Sequence, residues 1–258
     1  MTTTRQLDTT DLEVRVKDMY REVAEVPHKE FHFETGRALA ERLGYPPGDL
    51  DRVPAAAIDS FAGVGFYFDL AGIGAGETVL DLGSGSGTDS FVAALHAGPE
   101  GRVIGIDMTL AQLDKATGLA REGGFGQVEF RTGYIERPPV QAGGVDWVIS
   151  NGVINLSADK PGVFAEAARA LRPGGGLALA DIVSAVQLPE GIRCDAALWA
   201  ACIGGAMQRD RYREAIETAG FELLEVRENA GYRFISDRAA SATEKYGVTS
   251  ISLLARRR

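Results

Sequence analysis

The chain has 258 residues, 45% of them hydrophobic and 24% charged, with a formal net charge of −9. That length supports one large, well-filled core, and the acidic balance repels phosphate backbones, so nucleic acid is not expected as a substrate. Two cysteines, Cys194 and Cys202, make no disulfide framework, no zinc-binding spacing occurs, and no stretch approaches 18 apolar residues, so neither a structural metal nor a membrane span is expected.

Residues 1–9 read as a disordered tail without the apolar core of an export signal, and a cytoplasmic location is the expectation. From Thr10 to Glu25, Leu12, Val16, Met19, Tyr20 and Val23 recur near helical spacing, with Thr10 placed to cap. A second helix is predicted from Thr35 to Leu43, ending at Gly44, and a short third one from Pro54 to Ile58. Phe61-Ala-Gly-Val-Gly65 is a glycine-bearing loop. Residues 10–70 precede any strand and read as a helical cap able to close over a ligand.

Residues 71–258 carry the alternating strands and helices of a doubly wound, Rossmann-like α/β sheet. The run Thr78-Val-Leu-Asp-Leu-Gly-Ser-Gly-Ser-Gly-Thr-Asp89 is a buried strand, a tight glycine turn and a helix start. Gly83, Gly85 and Gly87 let the backbone approach a ligand without Cβ atoms in the way. The spacing is G-x-G-x-G, and Thr88 occupies the place where a dinucleotide fingerprint wants Gly or Ala. Asp81 at the strand end repels a diphosphate but suits an ammonium group, which points to S-adenosylmethionine (AdoMet). Gly101 to Asp107 is a second buried strand ending in an acid 26 residues after Asp81, placed to accept the ribose hydroxyls.

Further along, a helix is predicted over Leu110–Arg121 and strands over Gln127–Arg131 and Val145–Ser150. A helix over Val163–Leu171 is stopped by Pro173-Gly-Gly-Gly176, and a strand follows over Leu177–Asp181. Residues 184–220 form an acceptor-side insertion, ending in a helix at 209–219. Strands near 221–227 and 248–255 close the chain.

These residues carry a resemblance. Asp-Leu-Gly-Ser-Gly after strand one and Gly-Ile-Asp107-Met108 at the end of strand two resemble class I AdoMet-dependent methyltransferases. Phe61–Gly65, Ser150-Asn-Gly-Val-Ile-Asn-Leu-Ser157 with Asp159-Lys160, Cys202-Ile-Gly-Gly-Ala206 and Tyr246-Gly-Val-Thr-Ser250 resemble arsenite methyltransferases and their relatives. The resemblance implies a seven-stranded, mostly parallel sheet whose last strand is antiparallel. It implies that Asp81, Gly83, Ser84 and Gly85 hold the methionine end of AdoMet and Asp107 the ribose. Met108 would flank the adenine, with the loop of Gly133, Tyr134, Ile135 and Glu136 closing over it, and Asn151 would face the sulfonium and the acceptor. Members that methylate arsenite hold it by three cysteine thiolates. Here only Cys202 matches: the position after Asn151 is Gly152, and no cysteine precedes Cys194. If residues 194–202 form one helix, Cys194 and Cys202 lie about 12 Å apart along it and cannot share one arsenic.

Methyl transfer is an in-line displacement that needs alignment and exclusion of water more than it needs a base. Candidate catalytic residues are Asn151, Cys202 and His32, the last lying between Phe31 and Phe33. For His32 a packed, structural imidazole is the competing reading, and for Cys202 a small buried apolar residue. Asn155 either orients an acceptor or caps the helix near Asp159. His96 reads as a structural histidine at a helix end, and Trp199, Phe61, Phe66 and Tyr67 as an acceptor pocket or as core. The expected activity is methyl transfer from AdoMet to a small-molecule acceptor, a small organic metabolite. Arsenite, or cyclisation or cleavage of AdoMet itself, are the alternatives within this fold. An NAD-dependent oxidoreductase is the rival from another class, opposed by Asp81 and Thr88.

Overall fold

The parity of the strands decides which residues meet at the site. A computed structural model describes residues 7–200 and 203–258. The cap contains α1 (Thr9–Glu25), α2 (Arg37–Leu43), α3 (Pro47–Leu50) and α4 (Ala55–Asp59). The first half of the sheet unit follows as β1 (Thr78–Leu82), α5 (Thr88–Ala97), β2 (Arg102–Asp107), α6 (Leu110–Glu122), β3 (Val128–Thr132) and β4 (Val145–Asn151). The second half is α7 (Lys160–Ala170), β5 (Leu171–Ser184), α8 (Glu190–Arg193), α9 (Ala196–Ala200), β6 (Met207–Gln208), α10 (Arg209–Thr218), β7 (Phe221–Glu228), α11 (Asp237–Tyr246) and β8 (Val248–Arg257).

The strand order is β3-β2-β1-β4-β5-β8-β7. β1 lies parallel between β2 and β4, and β8 is antiparallel to both its neighbours, β5 and β7. The expected seven strands with an antiparallel last one are therefore present, joined by the two-residue β6 beside Val183 and Ser184. Chain order reverses between β1 and β4, and such a switch point opens a crevice at the strands' carboxyl ends. Side chains alternate faces along a strand. Val79 thus joins the core beneath the cap and α5, while Leu80 and Leu82 join the core under α7 and α10. By the same count Asp81 and Asn151 share the cap face, with Val79 and Ile149, whereas Asp181 of β5 falls on the opposite face.

Several boundaries differ from the sequence expectation. Asp8, not Thr10, caps α1, its carboxylate accepting from the N–H groups of Thr10 and Asp11 at 3.0 Å each. Pro47, in a stretch to which no element was assigned, opens α3, because a proline at the first helical position loses no hydrogen bond. β5 begins directly at Leu171, with the register shifting between Val145 and Trp147 to absorb Arg172–Gly175. The insertion breaks at Cys194, the C-cap of α8, before α9 starts at Ala196, so the premise of one helix running on from Cys194 does not hold; Cys202 itself lies outside the described residues. α11 lies in a stretch to which no element was assigned.

Among the described residues no helix is long and apolar enough to cross a membrane. Loss of a carboxylate cap costs about 1 kcal/mol. Asp8→Ala is therefore expected to speed amide exchange in the first turn of α1 while leaving exchange in β1 and β4 unchanged.

Candidate active site

Gly83, Gly85 and Gly87 all have positive φ, at 78°, 51° and 94°. The reason differs along the turn. A Cβ on Gly83 would lie 2.4 Å from the Val153 side chain, and one on Gly87 would lie 2.7 Å from the Phe130 ring. At Gly85 a Cβ would meet only Gln112 Oε1, at an ordinary contact distance of 3.7 Å, so the left-handed backbone alone favours glycine. The turn is pinned from the second strand: Gly85 N–H donates to Asp107 Oδ2 at 3.0 Å, and Thr109 N–H to Asp107 Oδ1 at 2.8 Å.

Asp81 is 2% exposed and accepts one hydrogen bond from Ser90 Oγ at 2.6 Å. Burial, then the neighbouring Asp89, pushes its carboxyl up to about 8, against the pull of the Ser90 hydroxyl. Beside it the buried Ser84 Oγ has no hydrogen-bond partner among the described residues. A buried carboxyl short of a cation and a buried hydroxyl short of an acceptor both face the same space.

Asn151 is saturated. Its Nδ2 lies 3.0 Å from each of three acceptors, Tyr45 Oη, Gly65 O and Asp89 Oδ2, which share its two hydrogens, and its Oδ1 accepts from Val64 N–H at 2.7 Å. Asp89 in turn accepts from Tyr45 Oη at 2.5 Å and Tyr67 Oη at 2.8 Å. Burial pushes the Asp89 carboxyl up while these three donors hold it down. The knot ties β4 and α5 to the cap and fixes the Phe61–Gly65 loop. That loop approaches so closely that a Cβ on Gly63 would lie 2.6 Å from Asn151 Nδ2.

The cavity over this floor measures about 350 Å³. It is lined by Asp81, Gly83, Ser84, Gly85, Asp107, Met108, Tyr134, Ile135 and Asn151, all the predicted cofactor residues, and by Gly133 and Glu136. α1 forms the roof through Leu12, Glu13, Val16 and Tyr20. One end of α1 is held by Tyr134, whose hydroxyl donates to Glu13 at 2.7 Å and accepts from Lys17 Nζ at 3.0 Å. The other end is held from α6: Gln112 Nε2 donates to Tyr20 O at 2.7 Å, and Lys115 Nζ to Ala24 O at 2.9 Å. Gln112 also accepts from Ser86 Oγ at 2.5 Å, linking roof to glycine turn. Among the described residues, the charged side chains lining the cavity are all carboxylates: Glu13, Asp81, Asp89, Asp107 and Glu136.

Other expected residues lie elsewhere. His32 is half-buried, its ring edge-on to Phe33 at 4.7 Å, and does not line the cavity. Phe61 lines it, but Phe66, Tyr67 and Trp199 do not. Asn155 is buried with its N–H donating to Asp181, while Asp159 is its own helix cap, accepting from Gly162 N–H. His96 packs against Phe68, 3.7 Å from Asp49. Cys202 lies outside the described residues, and Cys194 is half-buried at the end of α8. Sequence reasoning missed Asp89, Tyr45 and Gln112. Only Asp89, at the first turn of α5, carried a signal, since an acid there favours the helix dipole without revealing its tyrosine partners.

The residues present fit the AdoMet expected from the sequence. A glycine cradle, an unpartnered buried hydroxyl and a cation-seeking carboxyl converge on one acidic cavity. Comparison with known proteins agrees. Residues 73–220 match the family model described as a methyltransferase domain. An arsenite methyltransferase of Halobacterium salinarum is 40% identical over 205 residues, covering 79% of this chain and 52% of that protein. The chain thus spans about half the length of the curated relatives it matches. The crystal structure of an arsenic(III) S-adenosylmethionine methyltransferase from Chlamydomonas reinhardtii superposes with a TM-score of 0.63 at 31% identity, over 86% of this chain and 74% of that one. A geranyl diphosphate C-methyltransferase from Streptomyces coelicolor, 19% identical, shares the fold with a TM-score of 0.70, over 98% of this chain and 100% of that one. The chain belongs to the methyltransferase-domain family, whose cofactor is S-adenosylmethionine.

The raised Asp81 pKa gives a pH dependence with a fixed sign. The folded chain holds this proton more tightly than an unfolded one, whose carboxyl titrates near the ordinary value of about 4. The associated stability is full below that range and is lost as pH rises through about 8. Urea unfolding of the ligand-free protein between pH 6 and pH 8.5 is expected to show stability falling with pH, and Asp81→Asn to flatten the slope. An unchanged slope in the variant would place the proton elsewhere.

Proposed function

We propose that this chain is an AdoMet-dependent methyltransferase acting on a small-molecule acceptor, a small organic metabolite. The observation that carries the reading is the buried Asp81 carboxyl beside the unpartnered Ser84 hydroxyl, on the floor of the glycine turn. Asp81, Gly83, Ser84 and Gly85 would hold the methionine end, Asp107 the ribose, and Met108, Tyr134 and Ile135 the adenine. When bound, the cofactor supplies an electrophilic methyl group on a sulfonium.

The chain's own residues align and enclose. α1 and Phe61–Gly63 roof the cavity and exclude water. Asn151, with both polar atoms engaged, acts by holding the Val64 and Gly65 backbone in place rather than by contacting the acceptor. Each lining carboxylate already accepts a hydrogen bond: Glu136 from Ser157, Glu13 from Tyr134 and Asp81 from Ser90. No histidine or lysine lines the cavity among the described residues, which favours an acceptor whose lone pair needs no proton removed. A cavity of about 350 Å³ is at the small end for a drug-sized ligand and leaves little room beside the cofactor.

Arsenite is the second reading, favoured by the names of the relatives. The position that would need a cysteine opposes it. Gly152 has φ 71°, and a Cβ there would sit 3.0 Å from Val64 Cγ1. A non-glycine residue in that conformation costs about 1–3 kcal/mol, so Gly152→Cys is expected to lower stability rather than complete a thiolate site.

Calorimetry with AdoMet and with NAD tests the main reading, with heat of binding expected for AdoMet alone. Asp81→Ala is expected to weaken AdoMet binding about tenfold or more, the equivalent of about 1.4 kcal/mol, while Cys202→Ser leaves it nearly intact. Incubation with AdoMet alone is expected to leave the cofactor whole. Release of methylthioadenosine would replace methyl transfer with cofactor cleavage.

A further inference from the structure

Lys160 is the one lysine of the described chain that is almost wholly buried, at 3% exposed. A lysine normally keeps its ammonium in water, and burying it is unfavourable unless partners compensate. Here the side chain turns back from the start of α7. Its Nζ donates to Ser157 O at 2.8 Å and lies 4.6 Å from the centre of the Trp199 ring. Asp181 and Glu136 favour its charge, yet burial still pulls the ammonium down to about 8.

The two contacts of Lys160 lie on different walls, and one of them, Trp199, reaches a third. Ser157, with Leu156, lines the cavity after β4. Trp199 belongs to α9 of the insertion, where its indole N–H donates to Arg193 O at 2.7 Å. Trp199 also packs in one apolar cluster with Leu12 and Val16 of α1, against which Leu156 and Met108 rest. The insertion seats on the post-β4 loop at backbone distance, since a Cβ on Gly205 would lie 1.8 Å from Asn155 O and one on Gly204 would lie 2.3 Å from Trp199 Cδ1. Glycine is therefore required where the indole is clamped, and the lysine closes the third side of that clamp.

We infer that Lys160 is a positioning residue: by holding the Trp199 indole between the post-β4 loop and α1, it keeps the roof helix down over the cavity. It touches neither cofactor nor acceptor. Its consequence is on residence time, because a ligand under α1 leaves only when the helix lifts. The inference rests on the cofactor occupying this cavity, but the latch itself can be tested without ligand.

The experiment compares wild type, Lys160→Met, Lys160→Arg and Trp199→Leu. Methionine keeps the stem without the charge, arginine keeps a cation able to stack on the ring, and leucine removes the ring. First, trypsin cleavage within α1 at Arg15, Lys17 and Arg21 is followed without ligand. Cleavage is expected to be at least fivefold faster in Lys160→Met and Trp199→Leu and within twofold of wild type in Lys160→Arg. Second, dissociation of S-adenosylhomocysteine is followed by stopped flow, with the off-rate expected to rise in the same two variants by a similar factor. Circular dichroism and the midpoint of sheet unfolding identify a variant that is misfolded; Trp199→Leu then decides if Lys160→Met is lost. Unchanged α1 cleavage in the folded variants, or an arginine variant as leaky as the methionine one, would overturn the latch. Wild type that ignores S-adenosylhomocysteine while the cleavage pattern holds would overturn the cofactor reading and leave the latch standing.

Discussion

One buried carboxylate organises the site. Asp89 takes hydrogen bonds from Tyr45 and Tyr67 of the cap and from Asn151 at the end of β4, while its own backbone forms the first turn of the helix after the glycine loop. In a low-dielectric interior such a group is tolerable only when its donors are all in place. Cap, glycine turn and switch point therefore hold one relative geometry, and the cavity between them inherits it. Without that knot the Phe61–Gly65 loop would lack its anchor, since Asn151 grips it through both amide atoms.

The electrostatics of the cavity follow from the same arrangement. Acids lie on both faces of the sheet, but strand parity gives them different duties. Asp181, turned to the far face, accepts from Tyr212 Oη at 2.6 Å and fastens α10, with burial pushing its carboxyl up to about 6. Asp81 faces the ligand space and, among the described residues, accepts from Ser90 alone. The difference between a structural acid and a ligand-seeking one is thus the number of donors the fold supplies, not burial. A fixed negative charge at Asp81 was the sequence argument for a cationic ligand. In the ligand-free protein burial and the neighbouring Asp89 push that carboxyl up and favour its protonated form, an effect a bound cation would oppose.

Much of this was legible in the sequence because it rests on local patterns. The buried strand, alternating glycines and strand-end acids have fixed spacing, so Asp81, Gly83, Ser84, Gly85, Asp107 and Met108 could be placed together from order alone, and all line one cavity. The helix boundaries were readable where glycine ends them, as at Gly44, and less so at α1, where two acceptable caps stood within three residues. His32 shows the limit. Its place between two phenylalanines left a catalytic and a packed reading open, and the ring lies edge-on to Phe33 outside the cavity lining.

The sequence by itself determined the α/β architecture, the cofactor-seeking turn and the absence of a cysteine at Gly152, because each depends on residues adjacent in the chain or on periodicity. Only the tertiary structure decided that α1 is the roof, that Asn151 is a clamp, and that Lys160 lies under Trp199. Those contacts join segments tens to more than a hundred residues apart, as Lys17 meets Tyr134 and Asn151 meets Tyr45. No periodicity in one segment encodes the hydrogen-bond donors that another will bring to it.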